Sequence, residues 1–331
     1  MNAVKLPISG FKVGQSHDAK VQTGVTVILP DSPATCAVDV RGGGPGTREI
    51  SALQDGGLIE QVHAVVLSGG SVYGLAAADG VTAWLGAQRI GYDTGRAGVP
   101  VSPIVPSAIL FDNANGGDKD WGESPPFRAL GIAACKAARG EVAEGKAGAG
   151  YGATAGIYAG GLGIASETVD GARVTAIIAA NPVGSPYMPD TQCPWAWPYE
   201  QYESNKGEFG GVQPPQNYRL SEAKDSKLAF LKAASNPNGQ STVIGAVLTD
   251  AALSQKQLKR LAMMGQDGIA MAVQPSHTPL DGDTLFALSI GDKRCEGALA
   301  LAELGGAAAR CVARALMRGV YHGRAHSQKQ A

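Results

Sequence analysis

The chain has 331 residues, room for one large domain or two small ones. Apolar residues make up 44% and charged residues 17%, which supports a globular core and excludes a disordered chain. Lys and Arg number 28 against 29 Asp and Glu, so a net charge of −1 leaves no basic face and argues against a nucleic-acid partner.

Apolar runs are broken by Gly and Ser well before the ~20 residues of a membrane span, so no membrane partner is expected. Met1–Phe11 lacks a basic start followed by an apolar run, so no secretory signal is expected either. The 46 glycines follow no Gly-X-Y period and point instead to tight turns and close backbone contacts. Cys36, Cys135, Cys193, Cys295 and Cys311 are odd in number and widely spaced, with no C-x-x-C pair. Neither a disulfide framework nor a zinc site is expected, but reduced thiols packed as small hydrophobes in a cytoplasmic protein, with no metal and no cofactor.

In chain order, Thr23–Leu29 reads as a β-branched strand ending at Pro30, and Ala37–Val40 as a second, closed by Arg41-Gly-Gly-Gly-Pro-Gly46. Val62–Leu67 reads as a buried strand, and Ser71–Leu85 as a helix with its N-cap in Ser68–Ser71. Pro100–Phe111 looks extended, and Pro126–Arg139 is an alanine-rich helix with basic residues in its last turn. A glycine-dense stretch, Gly145–Gly163, precedes the strand Ala172–Ala180.

Residues 183–240 lose periodicity and read as a long surface excursion with a polar helix around Ser221–Ala234; the Trp195/Trp197/Tyr199/Tyr202 cluster in it fits packing under a loop better than a site entrance. Thr242–Leu248 is a buried strand and Ser254–Met264 a helix capped by its serine. Ile269–Val273 and Thr284–Ile290 read as strands, and Cys295–Arg318 as a helix interrupted at Gly305-Gly306. Alternation of these elements predicts one α/β domain with mixed sheets.

Gly148-Ala-Gly150-Tyr-Gly152-Ala153 matches a permissive dinucleotide fingerprint, but no hydrophobic strand leads into it, so tight packing or a backbone nest is the better reading. The segment around Ser241-Thr242 is more informative. Turn formers Asn236, Pro237, Asn238 and Gly239 run straight into hydroxyl residues that open a buried strand. Such hydroxyls are ordinarily edge residues. The chemical alternative is self-cleavage, in which the Thr242 hydroxyl attacks the Ser241 carbonyl and the freed α-amine, with a pKa of about 7.7–8.0, becomes the base for that hydroxyl. Downstream, Asp281-Gly-Asp283 places two carboxylates around one glycine, either as a plain hairpin turn or as a pair that polarises a nucleophile.

Several ordered runs carry a resemblance: Gly24-Val-Thr-Val27, Val40-Arg-Gly-Gly-Gly-Pro-Gly-Thr-Arg-Glu49, Val66-Leu-Ser-Gly-Gly-Ser-Val-Tyr-Gly74, Gly160-Gly-Leu-Gly163, Thr249-Asp250 and Asp281-Gly-Asp-Thr-Leu-Phe-Ala-Leu288. The chain resembles peptidase family S58, the DmpA-type β-peptidyl aminopeptidase group, and within it the nylon-oligomer (6-aminohexanoate-oligomer) hydrolase branch. The resemblance implies an αββα sandwich and a precursor cut once into 1–241 and 242–331. The subunits would stay associated and assemble as homotetramers or larger. It implies Thr242 as nucleophile, Asp281 and Asp283 as its acidic partners, and Asn181 as an oxyanion contact. Small peptides or ω-amino-acid oligomers would be the substrates.

The chain departs from this pattern at three places. Ser241 precedes the cut where relatives commonly have Asn or Gly. Phe111 stands where the β-aminopeptidases have a tyrosine. Ile157-Tyr158-Ala159 occupies the place of a functional lysine, with Lys146 the nearest lysine before it, leaving Tyr158 or the new amine to cover that role. Two alternatives remain open: acyl transfer of the ornithine acetyltransferase type, and a non-catalytic assembly or binding protein with the same fold.

Overall fold

Strands rich in Val, Ile, Ala and Thr with no polar alternation must be covered on both faces. In the computed structural model, which describes residues 2–54, 57–203, 206–221, 224–233 and 241–327, they are. The strands that build the two large sheets are β1 (Phe11–Asp18), β2 (Thr23–Pro30), β3 (Ala34–Val40), β4 (Gly46–Arg48), β5 (Gln61–Val62) and β6 (Val65–Ser68). They continue with β7 (Ser107–Ile109), β8 (Gly161–Val169), β9 (Ala172–Asn181), β10 (Thr242–Ala251) and β11 (Thr284–Lys293). The helices are α1 (Ala76–Ala87), α2 (Phe127–Lys136), α3 (Lys227–Ala233), α4 (Gln255–Ala272) and α5 (Gly297–Ser327).

One sheet runs β1-β2-β6-β7-β4 and the other β8-β9-β10-β11-β3-β5. Three apolar layers account for their stacking. Val13, Ile28, Leu67, Ile177, Leu248 and Phe286 fill the space between the sheets. Val174, Ile178, Val247 and Leu285 pack outward with Leu261 of α4 and Val312 and Leu316 of α5. Val25, Val27 and Val66 pack with Val81 and Leu85 of α1 and Phe127 of α2 on the opposite side. The result is the expected four-layer αββα sandwich. Along β10 the period-two alternation is explicit: Ile244, Ala246 and Leu248 enter the inter-sheet layer while Val243 and Val247 face the helices.

Three expectations are corrected. Ile269–Val273 is not a strand, because α4 continues to Ala272 and buries Leu258, Leu261, Ala262, Gly265, Ile269 and Ala272 along one helical face. The β-branched residue that suggests a strand is one position of that face. The last helix is not interrupted at Gly305-Gly306, since α5 runs through them. A Cβ on Gly305 would come within 2.3 Å of Met264 Sδ, so the glycine is where the two helices touch. Ser71 does not cap a helix: it has φ 54°, and Ser71–Leu75 is a 3₁₀ turn leading into α1. The glycine-dense stretch runs into the start of β8, which its composition does not announce as a strand. The turn Gly148–Gly150 packs under β2, where Ala149 N–H donates to Thr26 Oγ1 at 3.0 Å. Ser254 caps α4 as expected, with a reciprocal contact to Gln257.

Of the aromatic cluster, Tyr199 packs against the α5 layer as expected, whereas Tyr202 is exposed and does not. Among the described residues no helix is long and apolar enough to cross a membrane. Phe286 is fully buried between the sheets. Phe286→Ala is expected to cost about 3–5 kcal/mol of unfolding free energy, read from the midpoint shift in denaturant titration at constant slope.

Candidate active site

β10 and β11 pair in parallel, with Ile244 opposite Thr284, so both strands begin at the same edge of the sheet. The chain entering β10 therefore lies beside the chain entering β11. Ser241 forms a parallel bridge with Asp281: its N–H donates to Leu280 O at 3.0 Å and its carbonyl accepts from Gly282 N–H at 3.0 Å. On the other side β9 runs antiparallel to β10 and sets Asn181 opposite Thr242. Ser241, Thr242, Asn181, Asp281 and Asp283 are all buried. Topology alone thus gathers residues from three separate stretches of the sequence.

The Thr242 hydroxyl donates to the carbonyl oxygen of Ser241. Gly282 is needed here: a Cβ on it would lie 2.9 Å from Thr242 Oγ1 and 2.6 Å from Gly44 O. The loop after β3 closes the other side of the acidic turn, with Arg41 N–H donating to Asp283 O at 3.0 Å and Gly44 N–H to Asp281 O at 2.8 Å. The Arg-Gly-Gly-Gly run of the sequence thereby becomes a backbone brace for the two carboxylates.

Each carboxylate is fully engaged. Asp281 accepts from Val183 N–H at 3.0 Å, and from Thr278 N–H at 3.0 Å and Thr278 Oγ1 at 2.6 Å. Asp283 accepts from Val243 N–H at 2.7 Å and meets His277 Nδ1 at 2.7 Å. Burial raises the Asp281 pKa and the nearby charge of Asp283 raises it further, with the hydrogen bonds from Thr278 and Val183 opposing. Burial alone would lower the pKa of His277, but the hydrogen bond and charge of Asp283 together outweigh it and leave it raised. His277 therefore joins the acidic pair through Asp283.

Asn181 is held at both ends of its amide: Nδ2 donates to Phe111 O at 2.8 Å, and Oδ1 accepts from Thr154 N–H at 2.9 Å. The N–H on the Ser241 carbonyl is that of Gly282. Phe111 enters through its backbone carbonyl rather than its ring.

A further residue carries no signal in the sequence pattern. Lys227, at the start of α3, directs Nζ to Thr154 O at 2.9 Å, Ser241 Oγ at 3.1 Å, Asn181 O at 3.4 Å and Asn181 Oδ1 at 3.4 Å. All four are uncharged oxygens. Burial pushes its pKa down to about 7, only partly offset by the charge of Asp281. Tyr158, the candidate for covering the absent lysine, instead donates to Asp225 Oδ2 at 3.1 Å and lies against the Arg324 guanidinium. The amine at this site comes from the long excursion, whose turn formers Asn236, Pro237, Asn238 and Gly239 lie outside the described residues.

The model of peptidase family S58 matches residues 6–330. An uncharacterized aminopeptidase of Mycobacterium tuberculosis is 40% identical over 97% of this chain and 94% of its own length. A 6-aminohexanoate-oligomer endohydrolase of Kocuria sp. is 31% identical over 86% of this chain and 74% of its own. Among solved structures, an L-aminopeptidase D-Ala-esterase/amidase of Ochrobactrum anthropi, described as a variant of the Ntn hydrolase fold, superposes with a TM-score of 0.65 at 20% identity, covering 96% of this chain and 87% of that one. A β-aminopeptidase of Burkholderia sp. gives 0.64 at 21% identity, over 94% and 84%. Fold and sequence together define an amide-bond hydrolase on an Ntn-type αββα sandwich. The chain belongs to peptidase family S58.

A histidine with a raised pKa contributes stability that is complete below its ordinary value of 6.5 and is lost as pH rises through the raised value. His277→Ala is expected to destabilise the chain by about 1–3 kcal/mol at pH 6 and by clearly less at pH 9, measured by denaturant melts at both pH values.

Proposed function

We propose that the chain severs its own Ser241–Thr242 peptide bond and then uses Thr242 as an N-terminal nucleophile to hydrolyse amide bonds of small peptides or ω-amino-acid oligomers. The observation that carries this reading is the Thr242 hydroxyl seated on the Ser241 carbonyl, whose oxygen is held by Gly282 N–H at 3.0 Å. That distance suits a donor placed to stabilise a developing oxyanion.

In the first step Thr242 Oγ1 bonds to the carbonyl carbon of Ser241, the bond from that carbon to the Thr242 nitrogen breaks, and the nitrogen takes up the hydroxyl proton. Water then hydrolyses the ester, leaving a Ser241 carboxylate, a free hydroxyl and a free amine. The new amine serves as base for the same hydroxyl in turnover. Asp283 fixes the start of β10 through Val243 N–H, and with Asp281 supplies negative charge for the ammonium form of that amine. Asn181, opposite Thr242, contributes to the oxyanion site once the chain end has moved. Residues 1–241 and 242–331 remain associated, and the assembly is a homotetramer or larger.

The relatives named as an aminopeptidase and as an oligomer endohydrolase support an amide substrate, and family membership favours hydrolysis over acyl transfer or a purely assembling role. The free thiols, of which Cys36, Cys135, Cys193 and Cys311 are buried, suit the cytoplasm. Intact-mass analysis is expected to find fragments 1–241 and 242–331 in the wild-type protein and a single uncut chain, inactive on amides, for Thr242→Ala. An active wild-type enzyme that keeps the bond would overturn the reading.

A further inference from the structure

The residue just before the cut is the first acyl group the nucleophile meets. In self-cleavage Thr242 Oγ1 attacks the carbonyl carbon of residue 241. In turnover the same oxygen attacks the carbonyl carbon of a substrate, so the ester of residue 241 formed in self-cleavage and the acyl-enzyme formed in turnover are the same kind of species on that oxygen. Ser241 therefore stands where the acyl half of a substrate will stand, and its surroundings show what that position recognises. This inference rests on the proposed use of Thr242.

Three groups of Ser241 are read separately. Its N–H goes to Leu280 O at 3.0 Å, its carbonyl oxygen takes Gly282 N–H at 3.0 Å, and its side-chain hydroxyl accepts from Lys227 Nζ at 3.1 Å. The first two contacts come from backbone atoms of the acidic turn and suit any α-amino acyl group. The third belongs to one side chain and distinguishes one acyl group from another. When the acyl position empties, Lys227 keeps the Thr154 and Asn181 oxygens and loses the serine oxygen. An amine donor with a vacant direction favours a substrate that restores the acceptor and disfavours an isostere that cannot.

We propose that Lys227 is the specificity-determining residue of the acyl subsite, and that the enzyme prefers L-α-aminoacyl groups bearing a hydrogen-bond acceptor on the β-carbon, with serine as the type case. The cut sequence is thus a built-in copy of the preferred substrate. Lys227 acts here as a donor to the substrate side chain and takes no part in bond making.

The test uses the purified, self-processed protein and two p-nitroanilides of matched shape, L-seryl and L-2-aminobutyryl, which differ by hydroxyl against methyl. The readout is the ratio of their kcat/KM values. In the wild type the seryl compound is expected to be favoured roughly 10- to 100-fold. Lys227→Met brings the ratio to about 1, and Lys227→Arg, which keeps a donor, restores part of it. A loss of packing alone would slow both substrates and leave the ratio unchanged. The wild-type comparison needs no variant, so a ratio near 1 overturns the subsite even where Lys227→Met does not mature, and Lys227→Arg then carries the assignment to Lys227. A wild-type ratio near 1, or a preference that survives in Lys227→Met, overturns the subsite while leaving hydrolysis by Thr242 intact. An enzyme that is cut at Ser241 yet inert toward both amides and toward small peptides overturns the hydrolase reading and the subsite with it.

Discussion

The parallel pairing of β10 with β11 is the constraint on which the site depends. Parallel neighbours start at the same edge, so the peptide entering one strand must lie against the turn entering the other. Here the first is Ser241-Thr242 and the second is Asp281-Gly-Asp283. The bridge between Ser241 and Asp281 extends that pairing beyond the strands and places the Gly282 N–H on the Ser241 carbonyl. Antiparallel β9 adds Asn181 from the other side, and Lys227 covers the junction from the excursion. Sheet register brings Ser241-Thr242, Asn181 and the acidic turn together, while Lys227 is brought in by α3.

Electrostatics follow from the same burial. Two carboxylates so close in the chain would repel strongly in a dry interior unless each oxygen had donors. Thr278, Val183, Val243 and His277 supply them, and the Arg41–Gly44 loop braces the backbone that carries the acids. The cost appears as a raised pKa at Asp281, while burial lowers that of Lys227. Acid and amine are thus drawn toward each other on the pH scale by the same burial.

Local pattern makes much of this visible in the amino-acid sequence. The apolar run from Thr242, the turn formers ahead of it and the Asp-Gly-Asp turn are contiguous signals, and they mark where β10 and β11 begin. Where local pattern is overruled, the reason is tertiary. Ile269 is β-branched, yet it lies on the buried face of α4. Gly305 suggests a break, yet it is where α5 meets Met264. Spacing cannot single out Lys227, since it lies in a polar stretch without period, and only the placement of α3 beside Thr154 and Asn181 gives it a role. At Ile157-Tyr158-Ala159 the sequence shows only that the lysine of the resembled branch is missing, and Tyr158 turns instead to Asp225. His277 gives a weak signal because a histidine in a turn usually has no acidic partner.

The order of strands in the larger sheet has one more consequence. β8 and β9 precede the Ser241–Thr242 bond, β10 and β11 follow it, and β3 and β5 again precede it. A chain broken there has its two pieces interleaved through six adjacent strands, with the shorter piece clamped at the centre. Nothing would fall apart, but the route back would be lost: once melted, the pieces must find each other in solution, and reassembly becomes concentration-dependent. Such a molecule is put together once, as a continuous chain, and afterwards its lifetime rests on how slowly it comes undone.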